Sequence, residues 1–225
     1  MRTDPNTTKK HLIEAARAEF LELGWEGARG EGIRKRAKVS NGSWRHFFPG
    51  GKVGVAEAIY ADLHEAVWGA ALAHFDLSVV DQAHTTIRRA HAELVDRLSE
   101  CRGQARLLFQ LEAALPQTGA VGIVFQRDSS SRRRVEQWVA GALRPGQPAP
   151  AADMCWALVF GPVIAVSRRW ASGELQEIPP EVPRRLADAA FTTLFETGQP
   201  ATRGKTKKAR DSTGHQASFD QLGEK

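Results

Sequence analysis

Apolar residues recur every three to four positions along nearly the whole chain, and no stretch alternates apolar and polar residues as a half-buried strand does. Ala, Leu, Glu and Arg dominate, and the fold class predicted is all-α. A first helix is predicted over about 8–23, with Leu12, Ala16, Phe20 and Leu23 on one stripe. Asn6, Thr7 and Thr8 supply capping groups, and Gly24 stands where a left-handed residue would close the helix. A short helix over 31–37 places Ile33 and Ala37 one turn apart. Lys38-Val39-Ser40 forms a tight break, and Ser40 is suited to cap a third helix over 41–47. Pro49-Gly50-Gly51 is a turn, and from Lys52 a long helix runs to about Phe75 with Val55, Ile59, Leu63 and Val67 in register. Five further helices are predicted near 81–101, 104–115, 129–143, 151–172 and 181–197, joined by Gly- and Pro-rich connections. Residues 200–225 are polar, without period, and read as a disordered basic tail.

The second and third helices are too short to bury their own apolar faces. Two short helices across a three-to-four-residue turn form a helix-turn-helix, which a third helix must cover. The Phe20 stripe of the first helix is the predicted cover for Ile33, Ala37, Val39, Trp44 and Phe48. Asn41, Ser43, Arg45 and His46 are then left on the wet face of the third helix, which begins at N–H groups that favour a phosphate. Gly42 permits close approach to a DNA backbone. Asn and Arg are the side chains that read adenine and guanine edges in a major groove, which suits Asn41 and Arg45 to that task.

Residues 8–60 resemble the N-terminal domain of the TetR family of transcriptional regulators. The resemblance rests on LIEAARAEFLELGWEG, on Ile33-x3-Ala37-x-Val39-Ser40, on Gly42-Ser43, and on Trp44-Arg45-His46-Phe47-Phe48-Pro49 with Lys52 beyond. The chain departs from the usual pattern at Ala28, Lys38, Trp44 and Arg45, and its Pro49–Lys52 turn is one residue longer. The resemblance implies a recognition surface of Ser40, Asn41, Gly42, Ser43, Arg45 and His46, with Trp44 counted in the same stretch. It also implies a phosphate held by Lys52, with Arg29 and Arg34 as weaker phosphate contacts.

The same resemblance implies a DNA-binding domain over 1–52 and an effector and dimerisation domain over 53–199. The partners expected are a palindromic double-stranded operator, a second copy of the chain and an unknown small-molecule effector. Helices 151–172 and 181–197 are the expected dimer helices, through Trp156, Val159, Phe160, Val163 and Val166 and through Leu186, Ala190 and Leu194. Pro162 is expected to kink the first of these helices or to sit where a lost hydrogen bond is tolerated. A ligand cavity is expected among His91, Phe109, Glu112, Phe125, Trp138 and Trp156.

Charge sharpens this picture. Residues 1–60 carry 11 Lys/Arg against 7 Asp/Glu, residues 61–199 carry 14 against 16, and residues 200–225 carry 6 against 3. The excess of cations sits at the two ends, as a polyanionic partner of an N-terminal module requires. The tail's Arg203–Arg210 run adds to it, either as non-specific DNA affinity or as a solubilising segment. Two cysteines, Cys101 and Cys155, offer no disulfide framework, and no apolar run is long enough for a membrane span; a cytoplasmic protein is expected. Motifs of hydrolases, metalloproteases, P-loops and dinucleotide folds are absent, so neither an enzyme nor a cofactor is expected. His84 and His91, seven residues apart, lack a third metal ligand. The Ser129–Ser131 run before Arg132, Arg133 and Arg134 reads as a helix N-cap with a cationic first turn. The alternative reading is a helical ligand-binding or enzymatic protein whose N-terminal motif is not used for DNA.

Overall fold

The computed structural model describes residues 5–118 and 121–196, and the side chains of 6–118 and 129–196. The expected 200–225 tail and the side chain of Phe125 lie outside the described residues. Among the described residues there is no strand. The helices are α1 (Pro5–Gly27), α2 (Gly30–Ala37), α3 (Asn41–Phe47), α4 (Gly51–Ala73), α5 (Ala83–Ser99), α6 (Arg102–Ala114), α7 (Val121–Ala142), α8 (Ala152–Ser172) and α9 (Glu181–Phe191). A 3₁₀ turn over Leu77–Gln82 leads into α5, and a π-helical turn over Thr192–Glu196 extends α9. None of these helices is long and apolar enough to cross a membrane.

Helix α1 breaks at Gly24, whose φ of 68° and ψ of 178° only glycine adopts without strain. The expected stripe is buried except at its last residue. Leu12, Ala16 and Phe20 are buried, but Leu23 is 53% exposed. The helix-turn-helix follows as predicted: Ile33, Trp44 and Phe48 are buried against α1 and α4. Val55, Ile59, Leu63 and Val67 line the buried side of α4. That helix packs on α1 and also on α5, α6 and α7, so it mechanically links the N-terminal helices to the rest.

Helix α7 begins eight residues earlier than the serine run suggested. Ser129, Ser130 and Ser131 lie inside it rather than capping it. The three arginines that follow diverge. Arg132 pairs with Asp153, Arg133 donates to the Ser129 carbonyl, and Arg134 donates to the Phe75 carbonyl.

The core is one contiguous apolar cluster from Leu12 to Leu194. Within it, His91 is fully buried, with Nε2 2.6 Å from the Val159 carbonyl oxygen and Nδ1 3.2 Å from that of Pro183. The Val159 carbonyl lies in the turn before Pro162. His91 ties α5 to α8 and to the start of α9. Asp188 of α9 clasps Arg88 of α5 at 2.6 and 2.9 Å and also bonds His84 at 2.8 Å, and these partners hold its carboxyl down at about 2.

Candidate nucleic-acid interface

The reading helix is positioned from its first residue. Ser40 is extended (φ −70°, ψ 159°), and its Oγ accepts the Ser43 N–H at 3.1 Å, satisfying one of the helix's otherwise unpaired donors. The two hydroxyls of Ser40 and Ser43 are 3.0 Å apart. Trp44 lies over Gly30, close enough that a side-chain carbon there would touch its ring, and it packs against Phe48 with ring centroids 5.8 Å apart. Trp44 is therefore an anchor under the surface, only 7% exposed, and not part of the reading face.

Anchoring at Trp44 and Phe48 fixes what points outward. Asn41, Gly42, Arg45 and His46 are exposed, on two successive turns of one short helix. The His46 ring meets Phe47 edge-on at 5.0 Å. Arg45 has no hydrogen-bond or ion-pair partner among the described residues. A long, unpaired guanidinium beside a carboxamide can form the bidentate bonds that base edges accept.

The other cations of this region divide into two groups. Arg36 is consumed within the fold: it reaches buried Glu19 at 3.2 Å and also Glu22, whose carboxyl it holds below its usual range. Lys35 pairs with Glu31 at 2.8 Å, and Arg34 donates to the Val39 carbonyl at 3.4 Å, bracing the turn between α2 and α3. Arg29 is exposed in extended backbone just before α2.

Lys52 sits differently from the expected phosphate contact. Its ammonium donates to the carbonyls of Trp25 (2.8 Å) and Ala28 (3.3 Å) and lies 4.2 Å over the Trp25 ring. Burial pushes this ammonium down from the ordinary lysine range. It lies at the end of α1, where it closes the head.

Of the described residues expected to line a ligand cavity, two are closed off in the core. His91 and Trp138 are fully enclosed core residues. Phe109 lies under the Arg168 guanidinium, which also pairs with Glu112 at 3.2 Å on the α6–α8 surface. Trp156 packs with tilted rings against Trp68 and Phe160, with centroids 5.0 and 4.9 Å away. A cleft of about 270 Å³ does open between α4 and α7, lined by His64, Trp68, Leu72, Ser131 and Arg134 among others. Its sequence signal was the pair His64 and Trp68, four residues apart on α4, hidden by reading that helix as core alone. Among the described residues no cluster of side chains could hold a metal ion. Cys155 is buried beside the Pro150 carbonyl, where burial pushes its thiol up, and Cys101 is exposed.

The expected dimer helices are present, but of their expected faces only Trp156, Val166 and Leu186 keep some exposure. Val159, Phe160, Val163, Ala190 and Leu194 are core residues. What α8 turns to solvent is Met154, Ala157, Pro162 and Ala165, with Leu158 and Gly161 partly covered, and α9 adds Ala189 beside half-covered Leu186. The error arose because both faces of α8 are apolar, and spacing alone does not say which one is inside.

The chain is all-helical, with a helix-turn-helix head carried on a long connecting helix. No protein-family model matches the sequence, and no curated protein matches it. Solved structures do. A TetR-like transcriptional regulator from a Rhodococcus species aligns over 88% of this chain and 100% of its own, with a TM-score of 0.61 and 19% identity. A TetR-family regulator from Marinobacter aquaeolei aligns over 83% and 94%, with a TM-score of 0.59 and 18% identity. One from Thermus thermophilus aligns over 80% and 96%, with a TM-score of 0.56 and 16% identity. The chain has the fold of the TetR-family transcriptional regulators, and over almost the whole length of these neighbours.

Proposed function

We propose that this protein is a sequence-specific DNA-binding transcriptional regulator that works as a homodimer. The observation that carries the reading is the outer face of α3, where Asn41, Gly42, Arg45 and His46 are exposed while Trp44 and Phe48 lock the helix from beneath. The similarity of fold to TetR-family regulators supports it independently.

A single short reading helix binds weakly, and two-fold pairing sets two of them about one helical turn of DNA apart, roughly 34–36 Å. The pairing surface is the outer side of α8 and α9, around Met154, Leu158, Pro162, Ala165 and Ala189. Met154, 54% exposed, continues into exposed Pro162 and Ala165 and half-covered Leu158, and it is this contiguous apolar run that suits pairing.

The effector enters the cleft between α4 and α7. This location follows from mechanics: α4 carries the cleft's His64, Trp68 and Leu72 at one end and receives the head at the other. A ligand that binds better to the conformation with misplaced heads releases the operator by shifting the population. Selection of bound duplexes from a randomised DNA library by the full chain tests the reading. Enrichment of a palindromic site supports it, and an unenriched pool opposes it.

A further inference from the structure

Among the described residues, Lys38 is the one non-glycine residue with a left-handed backbone, at φ 55° and ψ 41°. It closes α2 in a Schellman arrangement: its own N–H bonds the Lys35 carbonyl at 3.1 Å, and the Val39 N–H bonds the Arg34 carbonyl at 3.3 Å. Glycine fills such a position without strain, and asparagine comes next. A lysine there is disfavoured by its Cβ, and strain of this kind is tolerated where the side chain has a use.

The side chain's surroundings narrow that use. Lys38 is exposed, and its ammonium pairs with no described residue. By contrast Lys35, Arg36 and Lys52 each have a partner within the chain, Lys35 in an exposed pair with Glu31. Lys38 stands two residues before the Ser40 cap, on the turn that leads into the exposed Asn41–Arg45 face. Its left-handed backbone presents a flexible cation at the edge of the reading helix.

We propose that Lys38 contacts a DNA phosphate next to the site read by α3, adding an electrostatic anchor at the helix-turn-helix turn itself. This rests on the DNA-binding reading and adds a residue to it. A purely local role for Lys38 is different: a cation near the last carbonyls of α2 would favour the helix dipole whether or not DNA is present.

The full chain and the duplex it selects from a randomised library separate the two. Lys38→Gln keeps an uncharged long side chain in the turn, and Lys38→Gly relaxes the backbone. Both variants should weaken binding about tenfold or more at 0.1 M salt, and should flatten the dependence of log K on log [salt] by about 0.9 for each protomer. Lys38→Arg should restore both. Lys38→Gly should at the same time raise Tm by about 2–4 °C, since it relieves the left-handed lysine. Wild-type affinity and slope in Lys38→Gln and Lys38→Gly, with specific binding still lost in Arg45→Ala, would overturn the phosphate contact and leave the DNA reading intact. A wild-type chain that selects no duplex would overturn both.

Discussion

The ammonium of Lys52 lies 4.2 Å above the indole ring of Trp25 and donates to that residue's own carbonyl oxygen at 2.8 Å. The start of α4 is thereby fastened to the end of α1, beyond the Gly24 break, and Trp25 is pressed onto Phe20 at 5.7 Å. The orientation of the head on its connecting helix depends on this clasp. Lys52→Met, which keeps the stem and removes the donor, should lower stability by about 1–2 kcal/mol. A thermal melt reads that loss. The slope of DNA affinity against salt should stay as in the wild type, because Lys52 spends its charge within the protein.

The Ser40 hydroxyl is the local switch that starts α3. Ser40→Ala leaves the Ser43 N–H without its acceptor at 3.1 Å and should destabilise the head by about 1 kcal/mol, whereas Ser40→Asp should retain most of the cap. Chemical denaturation of the three proteins at equal concentration checks the order.

His91 predicts a pH dependence with a definite sign. Burial holds its imidazole below the usual value of about 6.5, even though two carbonyl oxygens flank the ring. The neutral ring is the folded form, and it satisfies only one of the two carbonyls with an N–H. The unfolded chain takes up the proton first, so this stabilisation is complete above pH 6.5 and is lost as pH falls through the lowered folded-state value. Below pH 6.5 the contribution should fall by up to about 1.4 kcal/mol per pH unit. His91→Gln, though less stable throughout, should show a flatter profile between pH 6.5 and 5. An identical slope in both proteins would remove His91 from the account.

The outer side of α8 predicts an oligomeric effect with no cost to the protomer. Ala165 is exposed, so Ala165→Glu should leave the fold alone and convert the dimer to a monomer. Sedimentation velocity tests this. A variant that remains dimeric would move the interface elsewhere.

Much of the fold was legible because helix periodicity, caps and turns agree in the first 60 residues. Ser40, the Lys38 break and the Ile33–Trp44–Phe48 underside were all readable from spacing. What was not readable depends on three-dimensional packing. That Trp44 lies beneath the reading face, rather than sharing it with its neighbour Arg45, depends on its packing on Gly30. Lys52 reads as a surface cation until the end of α1 is brought beneath it. The aromatic residues of α5–α8 read equally as core or as cavity lining, and the core took His91 and Trp138. The inner and outer faces of α8 exchanged roles for the same reason.

The central claim is that the exposed face of α3 reads DNA, and Arg45 tests it most directly. The measurement is fluorescence anisotropy of the library-selected duplex with wild type and Arg45→Ala, alongside a scrambled duplex. Arg45 has no partner among the described residues, so Arg45→Ala should melt like the wild type. It should lose about 1–3 kcal/mol of binding for each protomer, and most of the preference over the scrambled duplex. Equal affinity of both proteins for the two duplexes would contradict the claim and return the protein to the class of helical proteins whose helix-turn-helix does not read DNA.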